Sequence, residues 1–147
     1  MILDTIGSLG LAAIAGGVGW AATEFVARPI RRFFDLRGEV IRRMAQYAIW
    51  RARFDKEGHE VEIPVTEDAF REAESVTRDL AAQMLAFAYN ETLARSILIH
   101  VLRYDPREAS EGLFAISWTT RVAGDTLKNR PRERVAKALR IDRSILF

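Results

Sequence analysis

The residues of this chain that could do chemistry are few, and none lies in a recognised catalytic pattern. The 147 residues include two histidines and no cysteine, which excludes disulfides, cysteine-based zinc sites, iron–sulfur clusters and thiol catalysis. His100 has Ser96 one helical turn before it, but such a pair needs an acidic partner and a nucleophile elbow to be a catalytic centre. We therefore interpret His100 as a buried structural histidine.

The second histidine lies in an acidic stretch that could attract a divalent cation. His59 is surrounded by Glu57, Glu60 and Glu62. A metal site requires ligands that converge and are held in orientation by their surroundings, and a linker imposes no such geometry. We interpret this cluster as solvated charge and predict no metal site.

Three further carboxylates, Asp105, Glu108 and Glu111, could in principle do acid–base chemistry. Their positions match the N-cap and first turns of a helix that starts at Pro106, so we assign them structural roles. The sequence has no dinucleotide-binding, phosphate-loop, zinc-protease or EF-hand motif. We predict a protein that is not an enzyme, with no catalytic residue, no cofactor and no small-molecule substrate.

The elements that carry these residues differ strongly in charge, although the net charge is only +2. Segment 28–54 has eight arginines against Asp35 and Glu39, whereas segment 55–81 has nine acids against three basic residues. Segment 128–143 is basic again, with seven basic residues against two acids. The opposed charges of the first two segments favour contact either within one chain or between chains.

The N-terminal segment 1–27 is predicted to be a transmembrane helix. Nineteen residues between Asp4 and Glu24 carry no charge, which as a helix gives about 28 Å, close to the thickness of a bilayer core. Arginines follow directly, so the positive-inside rule places the N-terminus outside and the remainder in the cytoplasm. A signal peptide is disfavoured because no basic residue precedes the apolar stretch. The main alternative is a helix buried in a soluble bundle, because much of the stretch is glycine and alanine.

Small residues on one face of this helix predict a helix-packing interface, since they let helix backbones approach closely in lipid. At 100° per residue the face is formed by Gly10, Ala13, Gly17 and Ala21. We expect it to contact a second copy or a larger membrane complex. A generic span without a specific partner is the alternative.

Two basic sets are candidate contacts for anions. The first, which we assign to anionic lipid, follows the span and consists of Arg28, Arg31, Arg32 and Arg37. The second could contact a polyanion and consists of Lys128, Arg130, Arg132, Arg134 and Lys137. We disfavour nucleic acid because the second set lacks aromatic residues for base stacking, and a solvated helix surface is its default interpretation.

The remainder of the chain is predicted to be helical. A basic juxtamembrane helix over 28–54 starts or kinks at Pro29, and an acidic linker covers 55–65. The domain 66–147 then contains helices that start at the N-caps Thr66 and Asp105, a third near 91–104, and a last short helix opened by Pro131. The predicted fold is all-α: a transmembrane helix followed by a cytoplasmic bundle of four to five helices.

The arrangement resembles that of small single-span bacterial inner-membrane proteins of unknown function. The resemblance depends on RPIRRFFDLR at 28–37, MAQYA at 44–48 and RDLAAQMLAF at 78–87. It implies a bacterial inner-membrane location and no particular activity. From the residues themselves we predict a membrane-anchored, non-enzymatic interaction protein, either an accessory subunit of a membrane complex or a self-assembling oligomer. The alternative is a module that binds anionic lipid headgroups or nucleic acid through its basic helices.

Overall fold

A long helix enters the bundle without a break. The computed structural model describes residues 16–48, 53–54, 60–61, 66–119 and 125–142. Residues 16–22 are α-helical, Thr23–Ala27 form a π-helical turn, and the α-helix resumes as α1, Arg28–Ala48. At 1.5 Å per residue this continuous helix is about 50 Å long.

The π-helical turn lets the helix pass Pro29 without ending. The backbone N–H of Arg28 donates to the carbonyl of Thr23, five residues earlier. Pro29 has no N–H, so in an α-helix the carbonyl of Phe25 would lack its donor. The wider turn lies where that hydrogen bond is missing. Of the two alternatives predicted at Pro29, a new helix start is not observed, and the α-helix is interrupted instead by the π-helical turn that precedes the proline.

Beyond α1 the described chain contains two very short strands and four further helices. Strand β1 is Arg53–Phe54 and pairs antiparallel with β2, Glu60–Val61. The helices are α2, Glu67–Asn90; α3, Thr92–Ile97, which continues as a second π-helical turn, Leu98–Leu102; α4, Pro106–Thr119; and α5, Asp125–Leu139. The predicted linker 55–65 otherwise lies outside the described residues.

Two predicted N-caps are confirmed by their hydrogen bonds. The hydroxyl of Thr66 accepts from the backbone N–H of Ala69 at 3.3 Å. Oδ1 of Asp105 accepts from the N–H groups of Arg107 and Glu108, each at 3.1 Å. These bonds satisfy donors that the first turn of a helix leaves without an intrahelical partner.

The start predicted for the last helix is wrong, because α5 begins at Asp125 and Pro131 lies inside it. A proline within a helix removes one backbone hydrogen bond. Close packing on α4 surrounds this position: a Cβ built on Gly112 would lie 3.1 Å from the Pro131 carbonyl oxygen and 2.6 Å from Cγ2 of Val135. Tertiary contact with α4 therefore supports a helix that the local sequence would end.

The core lies between α1, α2, α4 and α5. Helix α2 packs along both α1 and α4, and α4 packs along α5. The fully buried side chains include Phe33 and Val40 from α1, Met84 from α2, Leu113 from α4 and Leu139 from α5. This arrangement confirms the predicted all-α bundle of about five helices.

The predicted transmembrane segment is described only from residue 16 onward. Residues 16–20 are all exposed, and Ala21 is half-buried. Among the residues that the structure describes, no helix combines the length and the apolar character needed to cross a membrane.

We predict that Gly112→Ala lowers the free energy of unfolding by about 1–3 kcal/mol, because the added methyl group overlaps Val135 and forces α4 and α5 apart. Gly38→Ala is the matched control: Gly38 is exposed in a helix and no atom lies within 4 Å of its built Cβ. We expect this control to raise stability by up to about 1 kcal/mol. Urea unfolding followed by circular dichroism measures both, and equal effects of the two substitutions would contradict the close approach.

Candidate functional site

Exposed aromatic and apolar side chains surround the helix where it meets the bundle. Trp20 is 63% exposed and Phe25 54% exposed, and their rings are in edge-to-face contact with centroids 6.1 Å apart. Helix α3 packs against the turn Thr23–Ala27, and Tyr89 and Leu93, just before and at the start of α3, are each 62% exposed. We call Trp20, Phe25, Tyr89 and Leu93 the N-terminal surface.

Three of the four arginines assigned to lipid point outward near this surface. Arg28 pairs with Glu24 on the preceding turn, with Nη1 and Oε1 2.6 Å apart. Arg31 and Arg32 are exposed and form no hydrogen bond or ion pair with any part of the chain that the structure describes. A shallow groove of about 350 Å³ brings Arg28 and Arg32 together with Phe25 and Glu91.

The fourth arginine, Arg37, is used inside the fold. Its Nε donates to the carbonyl oxygen of Leu139 at 2.8 Å and its Nη2 donates to that of Arg140 at 3.2 Å. These are carbonyls at the C-terminus of α5, which lack intrahelical donors. The guanidinium also lies 5.6 Å from the ring centre of Tyr104, and the Arg140 guanidinium lies 6.0 Å from the same centre. Arg37 thus joins the first and last described helices, a role that the sequence did not predict.

The predicted small-residue face is described only in part. Gly10 and Ala13 lie outside the described residues. Gly17 is exposed, and a Cβ built on it meets no atom within 4 Å. Ala21 is half-buried one turn further on. Space is therefore available beside Gly17 for a side chain of another helix.

The second basic set does not form one surface. The side chain of Lys128 lies outside the described residues, while Arg130 and Lys137 are exposed. Arg134 forms ion pairs with Glu108 and with Glu111 of α4; in the second pair Nη2 and Oε2 are 2.6 Å apart. Arg132 is half-buried and lines a cavity inside the bundle.

Part of this set nevertheless shares a groove with Arg140, another basic residue of segment 128–143. A shallow depression of about 560 Å³ is lined by Arg130, Arg134 and Lys137 together with Arg140 and Glu133. Since Arg134 is already paired with acids of α4, the cations left for an external anion are fewer than the sequence count indicates.

The carboxylates predicted to be structural, Asp105, Glu108 and Glu111, bind backbone donors or Arg134, and Glu39 binds two arginines within α1. Hydrogen bonds from Arg42 and then Arg43 hold the pKa of Glu39 at about 2, below its ordinary value of 4.5. The Arg134 guanidinium lowers the pKa of Glu108, and Glu108 in turn raises the pKa of Arg134. Asp105 caps α4, as described above. Glu108 and Glu111 therefore join α4 to α5 through Arg134, whereas Glu39 and Asp105 make contacts within or at the start of their own helices.

The histidine predictions have different outcomes. His100 is exposed on the second π-helical turn, so its assignment to the core is wrong: the turn presents its side chain outward. His59 lies outside the described residues. Within the ranges that the structure describes, no group of three or more acidic or histidine side chains could hold a metal ion.

Sequence reasoning missed an exposed apolar stripe on α3 and the turn that continues it. Leu93 is 62% and Val101 70% exposed, and half-buried Ile97 lies between them at four-residue spacing. The four-residue spacing is visible in the sequence, but spacing alone does not distinguish an exposed stripe from a core face. The orientation of so short a helix depends on its contacts with Thr23–Ala27, which the sequence does not show.

We predict that Arg37→Met lowers the free energy of unfolding by about 1–3 kcal/mol, because it removes two charge-assisted hydrogen bonds to the end of α5. Arg31→Met removes the same charge from an exposed position of the same helix and is expected to change stability by less than about 0.5 kcal/mol. Urea unfolding of the full chain compares them. A loss confined to Arg31→Met would contradict the role of Arg37.

A further prediction concerns acid stability. Because the pKa of Glu39 is lowered in the folded protein, its contribution is fully present above about pH 4.5 and is lost as the pH falls towards 2. Glu39→Gln is expected to lower stability at pH 7 by less than about 1 kcal/mol, since the pair is partly exposed, and to make unfolding less dependent on pH between 4.5 and 2. Asp35→Asn, at an exposed position of the same helix, is the control. An unchanged pH profile in Glu39→Gln would refute this assignment.

Known proteins provide no guide to this site. Comparisons of the chain with protein-family models, with curated proteins and with solved structures found no match. A function must therefore be inferred from the helix that enters the bundle, from the N-terminal surface beside it and from the arginines that face outward.

Proposed function

We propose that this chain is a membrane-anchored interaction protein without enzymatic activity. In this proposal the N-terminal helix crosses a bacterial inner membrane once, the N-terminus lies outside, and the bundle lies in the cytoplasm. The partner is either a second copy of the chain or a subunit of a larger membrane complex. We propose no cofactor and no small-molecule substrate.

The observation that carries the proposal is the continuous helix and its exposed apolar end. Val18 is 65% exposed, and Trp20 and Phe25 are exposed on the same helix. Burying large apolar side chains is favourable, so their exposure together marks a surface that meets lipid or protein. Aromatic residues followed by Arg28, Arg31 and Arg32 are typical of the cytoplasmic boundary of a membrane span.

The rigid connection between helix and bundle supports an interaction role. Backbone hydrogen bonds continue from residue 16 through Thr23–Ala27 into α1, whose Phe33 is fully buried in the core. A partner that packs on the face of Gly17 would therefore fix the position of the bundle as well. Small residues permit such close packing in lipid.

A second candidate function is the binding of anionic lipid headgroups. It is favoured by Arg31 and Arg32, which have no partner in the described part of the chain, and Arg32 shares a groove with exposed Phe25. Each basic residue near an anionic surface contributes about 1 kcal/mol at low salt. Binding to phosphatidylglycerol vesicles that weakens steeply with salt, without any protein partner, would favour this function.

The main proposal is tested by Gly17→Leu in the native membrane. We expect the wild-type chain to stay in the membrane pellet after alkaline carbonate extraction and to migrate as an assembly on a native gel. Gly17→Leu is expected to stay in the pellet but to lose the assembly, because the larger side chain fills the space beside Gly17. Val18→Leu, an exposed position already occupied by a bulky residue, is the control that keeps both properties.

The outcomes separate the parts of the proposal. Release of the wild type into the carbonate supernatant would overturn the membrane anchor. An assembly that Gly17→Leu leaves unchanged would overturn the small-residue interface. Mass spectrometry of what purifies with the wild type then distinguishes a homo-oligomer from an accessory subunit.

A further inference from the structure

A small cavity lies where four helices of the bundle meet. Its volume is about 30 Å³, enough for one or two water-sized groups and too small for a headgroup or nucleotide. Five apolar side chains from α1, α2 and α4 line it: Val40, Met44, Leu80, Leu113 and Ile116. Apolar walls lower the local dielectric constant, so a charge inside the cavity is less screened than a charge on the surface.

The polar lining of this cavity carries an excess of positive charge. Arg43 contributes from α1, Arg132 from α5 and Thr77 from α2, and none of the residues described as lining the cavity is acidic. The Arg43 guanidinium is matched by Glu39, with Nε and Oε1 2.8 Å apart. The Thr77 hydroxyl donates to the carbonyl of Ala73 at 2.7 Å. Arg132 is left as the cation without a counter-charge in the lining.

The guanidinium of Arg132 has a buried donor that nothing in the described chain satisfies. Its Nη1 is shielded from solvent and has no hydrogen-bond partner among the described residues. A guanidinium remains protonated at every pH at which the protein folds, so burial cannot neutralise it. Buried charges are normally paired, and a buried donor without a partner requires an explanation.

We propose that this cavity binds a small monovalent anion, of the size and charge of chloride, through Nη1 of Arg132. The anion would accept the unsatisfied N–H and match the excess charge, and the apolar walls favour a monatomic, weakly hydrated ion over a larger oxyanion. Its binding would tie α5 to α1, α2 and α4 at the level of Arg132.

Thermal unfolding of the purified full chain in sodium chloride and in sodium gluconate, at equal ionic strength, tests the site. Equal ionic strength keeps screening constant, and gluconate is too large for the cavity. We expect the wild type to melt about 2–4 °C higher in chloride. Arg132→Met should lose this difference, whereas Arg130→Met, which removes an exposed charge from the same helix, should retain it.

A wild type that melts at the same temperature in both salts would overturn the proposal, as would an undiminished difference in Arg132→Met. Should Arg132→Met fail to fold, the chlorine NMR line width in the presence of the wild type decides instead. Broadening that bromide reverses supports the site, and a line width equal to that of buffer refutes it.

Discussion

The bundle depends on how the carbonyl groups at the end of its last helix are satisfied. A helix leaves its final carbonyls without intrahelical donors, and here Arg37 supplies two donors from a helix 102 residues earlier. Tyr104 lies between Arg37 and Arg140, and its ring also contacts buried Phe33 at 5.4 Å between centroids. One guanidinium therefore joins the first described helix, the loop before α4 and the end of α5. The helix from the N-terminus is anchored in the bundle at this same level.

This arrangement explains why fewer basic side chains are available at the surface than the number of basic residues in the sequence suggests. Arg37 and Arg134 form hydrogen bonds or ion pairs with other helices, and Arg132 lines the cavity inside the bundle. Arg31 and Arg32 remain exposed, and Arg32 shares a groove with exposed Phe25. An ion pair on the surface contributes little to stability, whereas a guanidinium that satisfies helix-end carbonyls fixes the geometry of two elements. Fewer cations are therefore available to an external anion than the number of basic residues in the sequence indicates.

The predictable parts of the fold are those that depend on local chemistry. The helix starts at Thr66 and Asp105 could be predicted because an N-cap side-chain oxygen accepts from N–H groups only two or three residues away. Two errors involve distant contacts: α5 includes Pro131 where it packs against Gly112, and His100 is exposed on the turn that continues α3, which packs on Thr23–Ala27. Arg37 was assigned to lipid for the same reason, since its carbonyl partners are more than a hundred residues away. The lack of a counter-charge near Arg132 could not be predicted from the sequence, because the cavity is formed by residues from four helices.

The π-helical turn also fixes the angular relation between the two halves of the long helix. A π turn holds one residue more than the α-helical turn it replaces, and one residue corresponds to about 100° of rotation. The direction in which Gly17 faces, relative to α3, therefore depends on how many residues the turn Thr23–Ala27 holds and on its helical geometry. A return of this turn to α-helical geometry with all five residues kept would rotate the upstream helix by about a quarter of a revolution, while the core around Phe33 stayed in place. Because the helix is continuous, a rotation about its axis that a neighbouring protein imposes upstream of the turn would be transmitted to the bundle.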